Sequence, residues 1–258
     1  MQKRIRNMLV RAALGLGGAL ALAVGLFFFT LPSAEPLRTQ NPDTTAVMDA
    51  RSREAMDNHR LPRRLQYWVP MNRISPWLRR AVVNSEDARF YEHDGFDVTE
   101  AEAALEDAAE RGHFARGAST ITQQLAKNLW LGEERTFWRK LREYFLAGRL
   151  EDLGKRRVLE LYLNVVEWGD GIYGAEAAAA IWFHKPALDL SPEESAVLAA
   201  MLPAPRRRNP QHPSARLRKR AFEVLELYGA YRQLGPDQLL EARERLADLL
   251  GTTATAFR

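Results

Sequence analysis

The chain contains no cysteine. That excludes disulfides and a thiolate nucleophile. It leaves the redox compartment open, because an exported protein without disulfides and a cytosolic one both fit. Histidine is scarce: the five at 59, 93, 113, 184 and 212 show no HxxxH or HxH spacing, which argues against a histidine-built metal centre. No G-x-S-x-G, P-loop or dinucleotide-binding fingerprint occurs. No convincing alternating run of five or more residues marks a half-buried strand. What is present, 258 residues with 46% hydrophobic and 27% charged side chains, has the balance of a folded protein. At ~150 residues per domain it amounts to about one domain plus extras. The net charge of +4 points to an anionic partner, nucleic acid or an anionic lipid surface.

Charge is missing altogether from residues 12–34, and Ala12–Leu31 is a 20-residue apolar run broken only by Thr30. A helix of about 20 apolar residues spans a bilayer core. Lys3, Arg4, Arg6 and Arg11 precede the run with no acid among them, so the positive-inside rule puts the N-terminus in the cytoplasm and the rest of the chain across the membrane. The alternative is a cleaved signal peptide. The run is longer than an h-region of about 7–15 residues, and Pro32-Ser33-Ala34 is not an A-x-A site, so an uncleaved anchor is the expectation. Residues 35–60 mix Pro, Thr, Asp and Arg without periodicity and are expected to be a juxtamembrane linker.

Charge then comes in blocks. Residues 51–80 carry eight Arg against Glu54 and Asp57, with Tyr67, Trp68 and Trp77 interleaved, a mixture that suits either an interfacial zone or a solvated charged face. Residues 86–110 hold ten acids against Arg89 alone, 133–157 hold eight bases against five acids, and a last basic cluster spans 206–220. The periodicity predicts helices over 76–85, 99–112, 119–131, 137–152, 155–164, 174–183, 192–202, 214–228 and 237–250. Ser191-Pro192-Glu193-Glu194 is a capping box with Pro at the first helical position, and Gly235-Pro236-Asp237 separates the last two helices. The soluble part is therefore expected to be mainly α.

Four segments are too polar and too ordered in spacing for ordinary core, the fourth of them mostly architectural. Glu86 and Asp87 follow the apolar run Ala81-Val82-Val83. A carboxyl held at the edge of a core has its pKa raised and becomes a better base, whereas the bland reading is a helix cap or a pair with Arg89. Wound as a helix, Ser119–Asn128 puts Thr120, Gln124, Lys127 and Asn128 on one stripe beside the apolar stripe of Ile121, Leu125 and Leu129. Hydroxyl, amide and ammonium groups in such a stripe hydrogen-bond a sugar or phosphate, unless the stripe simply faces solvent. Arg139 and Lys140 lie four and three residues before Glu143, with Arg135 one further turn back. Cations around a carboxylate keep it ionised, so that it can share a divalent metal with a pyrophosphate; taken alone the pattern is an ordinary i,i+4 salt bridge. Lys155–Asn164, the Gly-rich loop 168–174 and the alanines after Glu176 read as architectural.

Together these segments resemble the peptidoglycan glycosyltransferase family, which includes the polymerase domain of class A penicillin-binding proteins and the monofunctional biosynthetic transglycosylases. The residues that carry the resemblance are Glu86-Asp87-x-x-Phe90-x-x-His93-x-Gly95, then Gly117-x-Ser119-Thr120-Ile121-Thr122-Gln123-Gln124-x-x-Lys127-Asn128, then Arg139-Lys140-x-x-Glu143, then Lys155 through Ala178, and Leu198–Pro203. The resemblance covers about residues 60–215 and is closest to the monofunctional, membrane-anchored members. It implies a mainly α, lysozyme-like domain at 60–230 behind a basic tail at 1–11, a single transmembrane helix at 12–34 and a linker at 35–59, with a C-terminal helix at 231–258. It implies lipid II and a lipid-linked glycan as substrates, and a place in the bacterial inner membrane with the catalytic domain on the periplasmic side. Cell-wall synthesis or division proteins are the expected protein partners, and nucleic acid is not. It casts Glu86 as the general base, Glu143 as a donor-side carboxylate holding Mg²⁺ or Mn²⁺ or orienting the pyrophosphate, and Lys127, Arg135, Arg139 and Lys140 as leaving-group cations. Ser119, Gln123, Gln124 and Asn128 are cast as ligands of sugar or phosphate. A muramidase or lytic transglycosylase shares the fold class and the use of Glu.

Overall fold

The computed structural model describes residues 2–102, 119–132, 134 and 136–253. Arg135, Gly117 and most of the helix expected at 99–112 lie outside the described residues. The chain divides into two compact units, Met1–Ser33 and Ala34–Arg258.

The first unit is one helix, α1 (Gln2–Phe29). Its leucines Leu14, Leu16, Leu20 and Leu22 are exposed, as is Phe29. Among the described residues no helix is long and apolar enough to cross a membrane.

The second unit is helical with one small sheet. Its first helix, α2 (Ala46–Asp57), falls inside the stretch expected to be a linker. Thr45 caps it by accepting from Met48 N at 3.2 Å, and Val47 and Met48 are buried. Two long-range ion pairs hold it: Arg51 Nε to Glu167 Oε2 at 3.2 Å, and Arg206 Nη1 to Glu54 Oε2 at 2.9 Å. The charges that look solvated in the sequence are thus spent on tertiary pairing.

Helix α3 (Pro76–Glu86) starts at the Ser75 cap, with Pro at its first position, and buries Leu78, Ala81, Val82 and Val83. Helix α4 (Ile121–Ala126) passes directly into a π-helical segment, Lys127–Leu131. Then come α5 (Phe137–Glu151), α6 (Lys155–Val165), α7 (Ala175–Phe183), α8 (Pro192–Met201), α9 (Ala215–Ala230) and α10 (Pro236–Leu249). Helix α8 is buried nearly all round, which suits an element whose sequence is apolar on every face after its capping box. It packs against α3, α9 and α10. Helices α3, α8, α9 and α10 therefore form one group, while α4 packs on α5 and α6 to form another.

Three short strands, β1 (Leu65–Gln66), β2 (Glu167–Gly169) and β3 (Ile172–Tyr173), form a sheet in the order β1-β3-β2. They are too short for alternation to be visible in the sequence. Strand β1 runs parallel to β3, with Leu65 opposite Ile172, and β2 runs antiparallel to β3. The turn between β2 and β3 requires glycine. Gly171 has φ +71°, and a Cβ there would lie 2.4 Å from the Arg63 carbonyl oxygen.

Candidate active site

The last residue of α3 is Glu86, and the chain turns at Asp87. Asp87 is buried and both of its oxygens are taken. Oδ1 accepts from His93 Nε2 at 2.9 Å, and Oδ2 accepts from Ile121 N at 2.9 Å, the first amide of α4. His93 Nδ1 in turn accepts from Gly95 N at 3.2 Å, which leaves the ring proton on Nε2, facing Asp87. Thr120 Oγ1 donates to Gly95 O at 2.7 Å. The end of α3 is thus tied to the start of α4, two elements 34 residues apart in the chain.

That tie sets Glu86 against Gln124. Gln124 Nε2 donates to Glu86 Oε2 at 3.0 Å, and its Oε1 accepts from Tyr162 Oη at 2.9 Å. Tyr162 lies on α6 and is fully buried. Because the phenol donates to Oε1, the Gln124 amide presents its N–H side to Glu86. Burial raises the Glu86 carboxyl above the ordinary range. The Gln124 hydrogen bond and the charges of Arg220, Arg208 and Lys127 oppose that rise without cancelling it. Burial, with the charges of Glu86 and Asp87, keeps Tyr162 protonated. Glu86 borders a pocket of about 220 Å³ lined also by Ser85, Asp97, Ser119 and Thr120.

A bed of cations lies beside it. Lys140 Nζ donates to Ser119 Oγ at 3.0 Å and to Glu143 Oε1 at 2.5 Å, and Arg139 Nη1 donates to Glu143 Oε2. Glu143 is 3% exposed, whereas the Lys140 side chain is 47% exposed. Both oxygens of Glu143 face cations. Gln124 Nε2 also reaches Ser119 O at 3.5 Å, so a continuous polar path runs from Glu86 through Gln124, Ser119 and Lys140 to Glu143. Lys127 opens the π segment, a distortion found most often at functional sites, and lies close enough to act on Glu86.

Of the residues picked from the sequence, Glu86, Ser119, Gln124, Lys127, Arg139, Lys140 and Glu143 meet on this path or beside it, and Asn128 is buried in the π segment. Gln123 turns elsewhere. It is buried, and its Oε1 accepts from Thr120 N at 3.2 Å to close the capping box of α4. Arg135 lies outside the described residues. Three contributors carried no local signal. Tyr162 reads as core in its own helix, while Arg220 on α9 and Arg208 in the loop before it stand in a basic cluster far along the chain. Arg220 Nη2 donates to Ser85 O at 3.2 Å, next to Glu86.

A half-buried base with a raised pKa beside a bed of cations is chemistry for a sugar hydroxyl and an anionic leaving group. Comparison with known proteins agrees. The profile of the family described as Transglycosylase matches residues 54–228. The chain belongs to the transglycosylase family. It is 47% identical over 190 residues to the biosynthetic peptidoglycan transglycosylase of Nitrosomonas eutropha, covering 73% of this chain and 78% of that one. The protein of the same description from Thiobacillus denitrificans is 43% identical over 83% of this chain and 94% of its own length. That from Azoarcus sp. is 49% identical over 66% and 74%. The whole path from Glu86 to Glu143 lies inside the matched region of this transglycosylase.

Proposed function

We propose that the protein is a peptidoglycan glycosyltransferase of the monofunctional kind, polymerising lipid II into glycan strands for the bacterial cell wall. The observation that carries the reading is Glu86, a carboxyl raised by burial, oriented through Gln124 and Tyr162, and set beside Lys127, Lys140 and Arg139. Glu86 takes the proton from the 4-hydroxyl of the acceptor N-acetylglucosamine. The oxygen attacks the anomeric carbon of the lipid-linked donor, and the bond to the pyrophosphate breaks with inversion to a β-1,4 linkage. A base whose pKa is lifted toward the working pH accepts that proton more effectively. Lys127, Lys140 and Arg139 neutralise the leaving pyrophosphate, and Ser119, Gln124 and Asn128 hold sugar or phosphate.

A divalent ion at Glu143 does not fit the donors present. Both carboxylate oxygens already meet Lys140 and Arg139, and Mg²⁺ ordinarily keeps several oxygen ligands of its own. The acidic-histidine group Asp87, His93 and Asp97 is committed as well, since Arg89 binds Asp97 through two hydrogen bonds of 3.0 and 2.8 Å and Asp87 holds His93 and Ile121. No step is assigned to a metal. Glu143 acts as a brace that fixes the two cations.

Glycan cleavage by a lysozyme-like site is the second reading, and the same cations disfavour it, because breaking a neutral glycosidic bond develops no phosphate charge. We place the N-terminal helix as a membrane anchor, with the unit from Ala34 onward on the periplasmic face. The described apolar side chains of α1 from Leu14 to Phe29 span about 24 Å at ~1.5 Å per residue. The charge-free sequence from Ala12 to Leu31 extends that toward the ~30 Å of a bilayer core. Purified full-length protein in detergent should polymerise labelled lipid II and leave finished sacculi intact. Release of soluble muropeptides from sacculi, with no polymer from lipid II, would reverse the assignment.

A further inference from the structure

A second cavity of the Ala34–Arg258 unit is not lined by Glu86. It measures about 530 Å³ and lies between α3, the start of α6 and the turn joining α9 to α10. Arg79, Arg80 and Arg156 converge on it. Among the described residues that line it there is no acid, and none of the three arginines forms an ion pair. The neighbouring Arg157, by contrast, is paired with Glu160, and Arg89 with Asp97. Arg79 Nε is buried without a hydrogen-bond partner. Burial is the main force holding the Arg79 guanidinium below its ordinary range, and the like charges of Arg156 and Arg80 add to it. Arg156 stands in the first turn of α6, where no acid is present and the helix dipole opposes a cation. Arg80 rests over the Trp77 ring at 5.2 Å, but among the described residues the lining offers the three like charges no carboxylate.

Two further observations narrow the ligand. Val83 and Leu159 give the hollow apolar walls, and Tyr91 and Tyr231 stand exposed at its rim. A bare phosphate has no use for such walls, whereas an apolar peptide end does. Asn84 and Ala88 line both this cavity and the pocket of Glu86, so the two adjoin across the segment that carries the proposed base. The polymer named for the relatives is a glycan bearing peptides, and a peptide ends in a carboxylate.

We propose that this cavity binds the carboxylate end of the peptide carried by the sugar substrate, with Arg79, Arg80 and Arg156 as its anion ligands. The inference rests on the reading of the protein as a peptidoglycan glycosyltransferase. Its effect is to hold the substrate by a part remote from the bond being made, which is how remote binding energy serves catalysis.

The test uses the full-length protein in detergent and three probes in calorimetric titration: the free peptide of the wall polymer's repeat unit, the same peptide with its carboxylates amidated, and inorganic pyrophosphate. The free-acid peptide should bind saturably, and amidation should weaken it by about tenfold or more, the loss expected for a charge-assisted contact. Arg156→Gln and Arg79→Gln should weaken it to a similar extent. Arg156 is exposed, and its replacement removes a repulsion, so that variant should melt no lower than the wild type. Equal binding of acid and amide peptides overturns the proposal, as does unchanged binding by Arg156→Gln. Displacement of the peptide by pyrophosphate at lower concentration than the peptide itself overturns it too. Polymerisation of lipid II is assayed in parallel. A wild type that binds the peptide but makes no polymer overturns the reading of the reaction, and one that makes polymer without binding the peptide overturns only this inference.

Discussion

At the scale of single residues the site is built on conflicts that its neighbours resolve. Glu86 sits where ionisation is penalised, and the sign of that penalty gives a prediction. A carboxyl whose folded pKa lies above its unfolded one destabilises the fold increasingly as pH rises through that interval, and not below it. Glu86→Gln should therefore melt higher than wild type at neutral pH, with the difference closing below about pH 4. Polymerisation should fall by about 10²–10⁴, the worth of a general base. A Glu86→Gln protein that is less stable at neutral pH, or keeps more than about a tenth of the rate, contradicts this account. Tyr162 tests the orientation of Gln124. Tyr162→Phe leaves the Gln124 carbonyl without its buried donor, at about 1–3 kcal/mol. The amide is then free to turn its oxygen toward Glu86. The acid limb of the pH–rate profile should move to higher pH, which a purely structural role for the phenol does not produce.

At the scale of elements, Asp87 and Glu143 do similar work in different places. Asp87 joins the end of α3 to the first amide of α4 and holds His93. Its two partners are both donors, so Asp87→Asn sets an amide NH₂ against one of them. Urea denaturation should show a loss of about 1–3 kcal/mol for that unmade bond. Glu143 holds Arg139 and Lys140 in place along one face of α5. If it braces those cations, Glu143→Gln lowers the plateau of a Mg²⁺ titration of initial rate and leaves the half-saturating concentration unchanged. A midpoint displaced to higher Mg²⁺ with a recoverable plateau gives the metal role back to Glu143.

At the scale of the whole molecule, the unit from Ala34 to Arg258 has its own core, formed where α8 packs among α3, α9 and α10. Deletion of residues 1–33 should leave a folded protein whose thermal midpoint is close to that of the full chain. It should polymerise lipid II in detergent and lose association with vesicles. Flotation of both proteins with liposomes measures the second point, and co-flotation of the shortened protein at the full-length level removes α1 from the role of anchor. Truncation through Asp57 is a different matter. Helix α2 carries the partners of Glu167 and Arg206, so its loss should lower the melting point of the remainder.

Much of this was determined by the sequence alone. Helices with their own local signals, such as α3 and α8, need only local information: Ser75 and Ser191 stop the incoming chain, apolar spacing sets the buried face of α3, and the all-round apolar sequence of α8 makes it a core helix. The carboxylates and cations of the site were legible for a related reason, since Arg139, Lys140 and Glu143 are neighbours on one helix turn. Local reasoning also suffices to doubt a role for any one of them. Other features were decided only by the tertiary structure. Helix α2 looked like a linker because its Arg and Glu find partners more than a hundred residues away. Gln123 and Gln124 are adjacent in sequence, yet one closes a capping box and the other meets Glu86, a division set by the approach of α3 and Tyr162. The arginine-lined hollow gathers α3, α6 and the α9–α10 turn, and no local pattern brings those three together. Burial, on which both the raised carboxyl of Glu86 and the unpaired Arg79 depend, is a property of the packed chain: solvent leaves a side chain only when distant segments close over it.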